Sequence, residues 1–184
     1  ILSKESMQLD ELTLVVPGDG EISGTVGWQG IQKNASADLA VSRIDPSRLD
    51  TRLRSASISG SIRLSGDEND QRGVLSLKDR KLQMDVVFMK VGDMLTLEKM
   101  HLRHGRSSLA GSGGLGFGKP QPFHFEGNIQ HFDISAFAQA PRTDLNATLK
   151  LAGELESGPK GQSAGSAHFR MGNSHIAGQS VTGN

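Results

Sequence analysis

Apolar and polar side chains alternate with a period of two along most of this 184-residue chain. Leu12 and Leu14 alternate with Thr13 and Val15, and Phe123 and Phe125 alternate with His124 and Glu126. A period of two places the apolar residues of a strand on one face and the polar residues on the other. Turn-forming groups such as 66–70 separate the segments, most of which match the usual strand length of about 4–8 residues. The pattern predicts an all-β protein whose strands each have one apolar face.

Helix signals are confined to two short stretches. Asp45 precedes Pro46, an order typical of a helix N-cap followed by its first residue, and Asp133 precedes a similar stretch that ends at Phe137. Neither stretch is long enough for an independent helix. We expect one or two short helical turns between strands.

These two stretches belong to an internal repeat. Residues 44–49 align with 132–137 at an offset of 88. The earlier apolar positions 7, 9, 12 and 14 align with 95, 97, 100 and 102 at the same offset. Positions 58, 62, 64 and 66 align with 145, 149, 151 and 153 at an offset of 87. Positions 73, 77 and 84 align with 165, 169 and 176 at an offset of 92. The sequence therefore predicts two β-repeat units, residues 1–92 and 93–184, that form one elongated β domain.

Composition and charge exclude several classes of protein. The 20 basic residues balance the 20 acidic ones, so the basic excess of a nucleic-acid-binding protein is missing. No cysteine is present, which excludes a disulfide framework and a thiol nucleophile. No apolar run approaches the length of about 18 residues that a membrane-spanning helix needs. Because the chain starts at Ile1 without a signal peptide, we expect it to be an excised fragment or a mature segment.

One segment matches a nucleotide-binding motif literally. Residues 111–116 read Gly-Ser-Gly-Gly-Leu-Gly, and Asp133 follows at about the distance of a ribose-binding acid. That motif requires a helix to open at the glycines, whereas Lys119, Pro120 and Pro122 follow and the alternation continues through the segment. We interpret these glycines as strand residues on a crowded face or in a bulge.

Other candidate chemical groups have structural explanations. His101 and His104 have a spacing that could bind metal on a helix, but three positions apart on a strand they lie on opposite faces. The acidic cluster 67–70 lacks the glycine and the final glutamate of a calcium-binding loop, which indicates a solvated hairpin tip. Ser107 has no recognisable histidine and acid partner. No catalytic residue, cofactor or metal site is predicted, and an enzyme is the least favoured class.

What remains is the apolar strand face itself. An ordinary sandwich core would explain the same alternation. Large aromatics are scarce, however, and many face positions are Gly or Ala, so we expect an open, curved sheet with an apolar concave face, a trough whose lining a ligand completes. The predicted lining consists of Leu12, Leu14, Ile22, Val26, Trp28, Leu39, Val41, Ile62, Leu64, Leu82, Met84, Val86, Leu102, Leu109, Leu115, Phe123, Phe125, Ile129, Leu149, Leu151 and Phe169.

The order of segments resembles a known family. Strand 109–117, the segments 122–129 and 132–137, and strand 145–153 together resemble the AsmA-like superfamily of bacterial envelope proteins, and within it the TamB family. Residues 37–49 and 57–66 resemble the same unit, so the resemblance covers most of the chain. The family has no catalytic residues to transfer to this sequence.

The resemblance implies a location and a function that the spacing alone does not. Such proteins are anchored in the inner membrane, extend through the periplasm, and form a U-shaped sheet (β-taco) implicated in carrying phospholipid acyl chains to the outer membrane. It also implies a TamA-like Omp85 outer-membrane barrel as partner. Two alternatives stay open: chaperone-like binding of nascent outer-membrane proteins by strand addition, and a purely structural β-solenoid.

Overall fold

The computed structural model describes residues 6–30, 33–155 and 164–183 and shows a single antiparallel sheet of twelve strands in chain order. The strands are β1 (Ser6–Val16), β2 (Gly20–Gln29), β3 (Asn34–Ile44), β4 (Ile58–Gly66), β5 (Asp70–Lys78), β6 (Leu82–Val91), β7 (Met94–His104), β8 (Ser107–Gly116), β9 (Gln121–Phe132), β10 (Thr143–Leu155), β11 (Ala164–Ile176) and β12 (Gln179–Gly183). Extensive strand contacts occur only between neighbours in the sheet. The all-β architecture predicted from the alternation and the open sheet predicted from the scarcity of large aromatics are both confirmed.

Most strands are longer than the apolar segments predicted. β1 to β11 each have between nine and thirteen residues. In some strands the difference arises where a β-bulge interrupts the alternation without ending the strand. In β7, for example, a bulge between Leu97 and Met100 joins two apolar segments into one strand.

Bulges recur at the repeat spacing. Register shifts lie between Leu9 and Leu12 in β1 and between Leu97 and Met100 in β7, and the equivalent positions are 88 apart. The shift between Val41 and Ile44 in β3 matches that between Ile129 and Phe132 in β9. Arg43 and His131, in these last two bulges, both have positive φ, at 52° and 47°.

The two predicted helical turns are confirmed as single 3₁₀ turns. One spans Pro46–Arg48 in the β3–β4 connection and the other spans Ile134–Ala136 in the β9–β10 connection. Each is capped by an aspartate, Asp45 or Asp133, whose side chain accepts a hydrogen bond from the amide two residues later. The two caps are superimposable in backbone angle, with φ of −102° in both.

One part of the repeat alignment is wrong. In the sheet, Leu75 pairs with Ile62 and Phe169 pairs with the equivalent Leu149, so β11 matches β5 at an offset of 94 rather than 92. A shift by two residues preserves which side chains share a face, so a period-two sequence does not distinguish the two alignments. The unit boundary at residues 92 and 93 falls in the β6–β7 hairpin, with six strands on either side, and the division into two units stays a prediction.

Candidate functional site

The strand register places all 21 predicted lining residues on one face of the sheet, which we call the apolar face. Cross-strand partners point to the same side, so each ladder of partners forms a rung across the sheet. The rung that starts at Leu14 runs through Ile22, Val41, Gly60, Leu77, Met84, Leu102, Leu109, Ile129, Ala147 and Met171. It crosses eleven strands, or about 48 Å at the usual strand spacing.

Two further rungs are entirely apolar or glycine. The second runs through Leu12, Gly24, Leu39, Ile62, Leu75, Val86, Met100, Gly111, Gly127, Leu149 and Phe169. The third runs through Leu9, Val26, Ala37, Leu64, Gly73, Phe88, Leu97, Gly113, Phe125, Leu151 and Ala167. The three rungs together form a continuous apolar strip that no charged side chain interrupts.

Among the residues that the structure describes, polar side chains enter this face only towards its two margins. A fourth rung contains Trp28, Leu115 and Phe123 but also the pair Gln71 and Lys90. At the opposite margin, Leu82 pairs with His104, which in turn pairs with Ser107. The apolar strip is therefore bordered by polar groups at both ends of the strands.

Several residues of the apolar face were omitted from the predicted lining. They include Leu9, Leu75, Leu77, Phe88, Leu97, Met100 and Met171. The signal for some of them was present in the sequence, since the three-residue steps from Leu9 to Leu12 and from Leu97 to Met100 mark the bulges that keep both residues on one face.

The apolar face is largely uncovered. Val41 is the one buried member of the predicted lining, whereas Leu14, Trp28 and Phe169 are 57%, 42% and 41% exposed. The accessible surface of the chain is 12338 Å², against about 8,600 Å² expected for a compact protein of this mass. Within the described residues, no second layer packs on this face, as a sandwich core would require.

Phenylalanine rings on this face lie over glycines. A Cβ placed on Gly73 would overlap the ring of its cross-strand partner Phe88, and one placed on Gly111 would lie 2.6 Å from the Phe125 ring. Phe123 has the same relation to Gly153, where the distance would be 2.9 Å. These rings therefore reach across to neighbouring strands and fill the space that a side chain in place of each glycine would need.

One end of the apolar face is covered by the two long connections. Phe137, in the β9–β10 connection, stacks on Phe132 at 5.1 Å between ring centroids and meets the His104 ring edge-on at 5.3 Å. Because Phe132 and His104 lie on the apolar face, the connection folds over this face at the ends of β7 to β9. The apolar face is thus walled at one end of its strands.

The two connections also bind each other. The Arg54 amide donates to the Phe137 carbonyl oxygen at 2.8 Å, and the Gln139 amide donates to the Arg52 carbonyl oxygen at 2.9 Å. Leu53 and Ala138 form the antiparallel bridge between these two bonds. We call this pairing of residues 51–54 with 135–139 the clasp. It spans the ends of the four strands β5 to β8, which separate the two connections.

The capping aspartates hold the clasp segments in place. Hydrogen bonds from the Ser47 hydroxyl, from Ser55 and from nearby amides lower the pKa of Asp45 despite some desolvation. Burial alone would raise the pKa of Asp133, but bonds from the Thr143 amide and from Ser135 outweigh it and lower the pKa. Both carboxylates are therefore stabilised in the charged form, as structural caps.

The opposite face is polar and ion-paired. Lys150 Nζ forms an ion pair with Glu126 Oε1 at 2.9 Å, and Arg63 Nε lies 3.7 Å from Asp38 Oδ1. A shallow depression of about 710 Å³ on this face is lined by residues such as Lys99, His101 and Ser112. Within the described residues, no group of three or more His, Asp or Glu side chains could hold a metal ion.

The remaining sequence motifs have structural roles. Residues 111–116 lie within β8, so the segment does not open a helix as nucleotide binding requires. His101 and His104 lie on opposite faces, as predicted. The Ser107 hydroxyl donates to the His131 carbonyl oxygen at 2.8 Å and accepts from the Asp133 amide at 3.1 Å. Asp67 accepts from two amides of the β4–β5 hairpin tip.

Comparisons with known proteins add no relative. No family model, no curated protein and no solved structure matches the chain. Across the described ranges, no helix has the length and apolarity needed to cross a bilayer. The geometry of the apolar face therefore carries the functional argument.

Proposed function

We propose that this chain is a non-enzymatic hydrophobic conduit that carries phospholipid acyl chains on its apolar face. The observation that carries the proposal is the continuous strip of three apolar rungs, about 48 Å long, that is left without a second layer. Acyl chains need apolar area and no specific hydrogen bonds, which is what this strip offers. Its length exceeds the hydrocarbon core of a bilayer, about 30 Å thick.

The glycine and phenylalanine pairs support movement rather than fixed binding. The rings of Phe88, Phe125 and Phe123 fill the space beside Gly73, Gly111 and Gly153, where pockets between side chains would otherwise form. A lining without such pockets does not select one chain position over the next, so bound acyl chains can slide along the rungs.

The resemblance to the AsmA-like superfamily, and to the TamB family within it, supports the cellular setting. We place the conduit in the periplasm of a bacterial envelope, as part of an inner-membrane-anchored protein that takes part in outer-membrane biogenesis. A TamA-like outer-membrane barrel is the partner that the resemblance suggests.

Photo-crosslinking tests the cargo. A benzophenone amino acid is placed at Leu64, Met84 or Phe125 on the apolar face. The matched controls are the adjacent, exposed residues Ser65, Gln83 and His124, which point to the polar face. We expect lipid adducts at the first three positions and background at the controls. Equal labelling on both faces, or no lipid at any position, would overturn the proposal.

Binding of nascent outer-membrane strands is the second candidate. Within the described residues, β1 pairs on one side only, and its outer edge presents unpaired backbone groups. Capture of a strand peptide by β1, without lipid adducts on the apolar face, would favour this candidate over the conduit.

A further inference from the structure

Four cations collect around the clasp without a carboxylate partner. Arg80 and Lys81 lie in the β5–β6 hairpin, Arg106 lies in the β7–β8 hairpin, and Arg54 lies in the clasp itself; all four are exposed. None of the four takes part in an ion pair with a described residue. We call this group the basic rim.

Two hydrogen bonds fix parts of the basic rim, one between its two hairpins and one within the clasp. The Gly105 amide donates to the Lys81 carbonyl oxygen at 3.3 Å, which joins the two hairpins. The Arg54 guanidinium donates through Nε to the Ser135 carbonyl oxygen at 3.2 Å, and its terminal nitrogens make no hydrogen bond with a described residue. In the strand order, the β5–β6 and β7–β8 hairpins lie between the two connections that the clasp joins.

The acidic groups nearby are largely neutralised. Asp50 pairs with Arg52 at 2.6 Å, Asp45 lies 3.9 Å from Arg48, and Asp133 lies 3.9 Å from Arg142. Asp79 remains, and its carboxylate accepts bonds from the Arg80 and Ser57 amides. The four cations and this one carboxylate leave an excess of three positive charges around the basic rim.

The opposite ends of the strands have another character. In the described hairpins there, Lys33 pairs with Glu68 at 2.8 Å, and Asp67, Asp93 and Lys119 complete the charged groups. Positive charge is therefore concentrated at the walled end, although the chain as a whole has a net charge of zero.

We infer that the basic rim binds the phosphate of an anionic lipid headgroup whose acyl chains lie on the apolar face. This inference rests on the proposed function and adds the headgroup class and its position. Guanidinium and ammonium groups are the usual protein partners of phosphate. The apolar strip begins beside the basic rim, where Leu82 pairs with His104, so one amphipathic molecule can contact both.

The test compares two soluble short-chain lipids of equal chain length, phosphatidylglycerol and phosphatidylcholine. The variant Arg80→Gln/Lys81→Gln/Arg106→Gln removes three cations of the basic rim. Lys99→Gln/Lys119→Gln/Arg170→Gln removes the same charge away from it and is the control. Each cation near an anionic headgroup contributes roughly fivefold in affinity, so we expect the rim variant to lose about a hundredfold for phosphatidylglycerol.

The outcomes separate the two proposals. A loss of affinity that is confined to the rim variant and to phosphatidylglycerol supports headgroup binding by the basic rim. An equal loss of affinity in the control variant, or no loss in either variant, overturns headgroup binding by the basic rim and leaves the conduit proposal unaffected. If neither lipid binds the unmodified chain, both proposals fail. Free glycerol phosphate is the last probe: we expect no competition at lipid-saturating concentrations, and full competition would assign the cations to a soluble phosphate instead of a lipid.

Discussion

The Arg54 amide donates a 2.8 Å hydrogen bond to the carbonyl oxygen of Phe137, which joins the β3–β4 connection to the β9–β10 connection. Five strand spacings, about 24 Å in a flat sheet, separate β4 from β9. The two connections bridge this gap by reaching over the ends of the intervening strands. The contact is therefore the tertiary element that walls one end of the apolar face.

A disulfide can lock this contact. Leu53 and Ala138 are antiparallel bridge partners flanked by two backbone hydrogen bonds. In this non-hydrogen-bonded pair the Cα atoms lie closest, at about 4.5 Å. We expect Leu53→Cys/Ala138→Cys to oxidise readily and to raise the melting temperature, because the closed loop is long. The chain has no other cysteine, so thiol titration reports bond formation directly. Failure to oxidise while each single variant folds would contradict the clasp.

A charge on the apolar face is expected to be tolerated where the face is uncovered. Met84 is half-buried and no second layer covers it, so in Met84→Arg the guanidinium can reach water. Val41 is 7% exposed, and Val41→Arg would bury an unpaired charge at a cost of about 3 kcal/mol or more. Thermal unfolding should therefore show a small change for Met84→Arg and a large loss for Val41→Arg. Comparable losses of stability in the two variants would contradict an uncovered apolar face and indicate a closed core.

The same two variants differ in lipid binding. Met84→Arg is expected to retain the fold and to interrupt the apolar strip, so that lipid adducts at Leu64 and Phe125 decrease. Unchanged adduct yields would show that bound lipid does not cross this rung.

Glycine under a phenylalanine ring is expected to resist substitution. Gly73→Ala places a methyl group where the Phe88 ring lies and should destabilise the chain by about 1–3 kcal/mol through overpacking. The double variant with Phe88→Ala should lose less than the sum of the two single losses, as measured by urea unfolding. A methyl group on Gly118 would meet no atom within 4 Å, so Gly118→Ala is the matched control and should be near neutral. Strict additivity would refute the ring-over-glycine contact.

Acid should weaken the capped turns. The pKa of Asp133 is lowered in the folded chain, so this carboxylate contributes stability above its unfolded pKa near 3.8 and loses it as the pH falls through the folded value. We expect the melting temperature to fall below about pH 4 and Asp133→Asn to flatten that decrease. Asp93→Asn, at an exposed hairpin, is the control. An identical pH profile for Asp133→Asn and the unmodified chain would contradict the capping role.

Strand faces could be predicted from this sequence, whereas register could not. Alternation identifies which side chains share a face, and it placed residues as distant as Leu12 and Phe169 on the same side of the sheet. Alternation does not change when a strand slides by two residues, which is why the alignment of Phe169 with Leu77 was wrong and Phe169 matches Leu75.

The clasp and the basic rim lay beyond sequence reasoning for a different reason. Asp45 and Asp133 predict their turns because a helix N-cap can be recognised from a few neighbouring residues. Contact between Leu53 and Ala138 depends on how the strands from β4 to β9 are arranged together, and the same arrangement brings Arg54 close to Ser135. No local pattern encodes that arrangement.

In the part of the chain that the structure describes, each strand makes extensive contacts only with its sheet neighbours, so the stabilising interactions follow one dimension, the strand order. The stability of the chain is then close to a sum of nearest-neighbour strand pairings, as in solenoid repeats, and not the property of one cooperative interior. Strand pairs can separate from the outer strands inward while the pairs behind them hold. The clasp ties the strand pairings from β4 to β9 into one block, so this segment should melt last and as a unit.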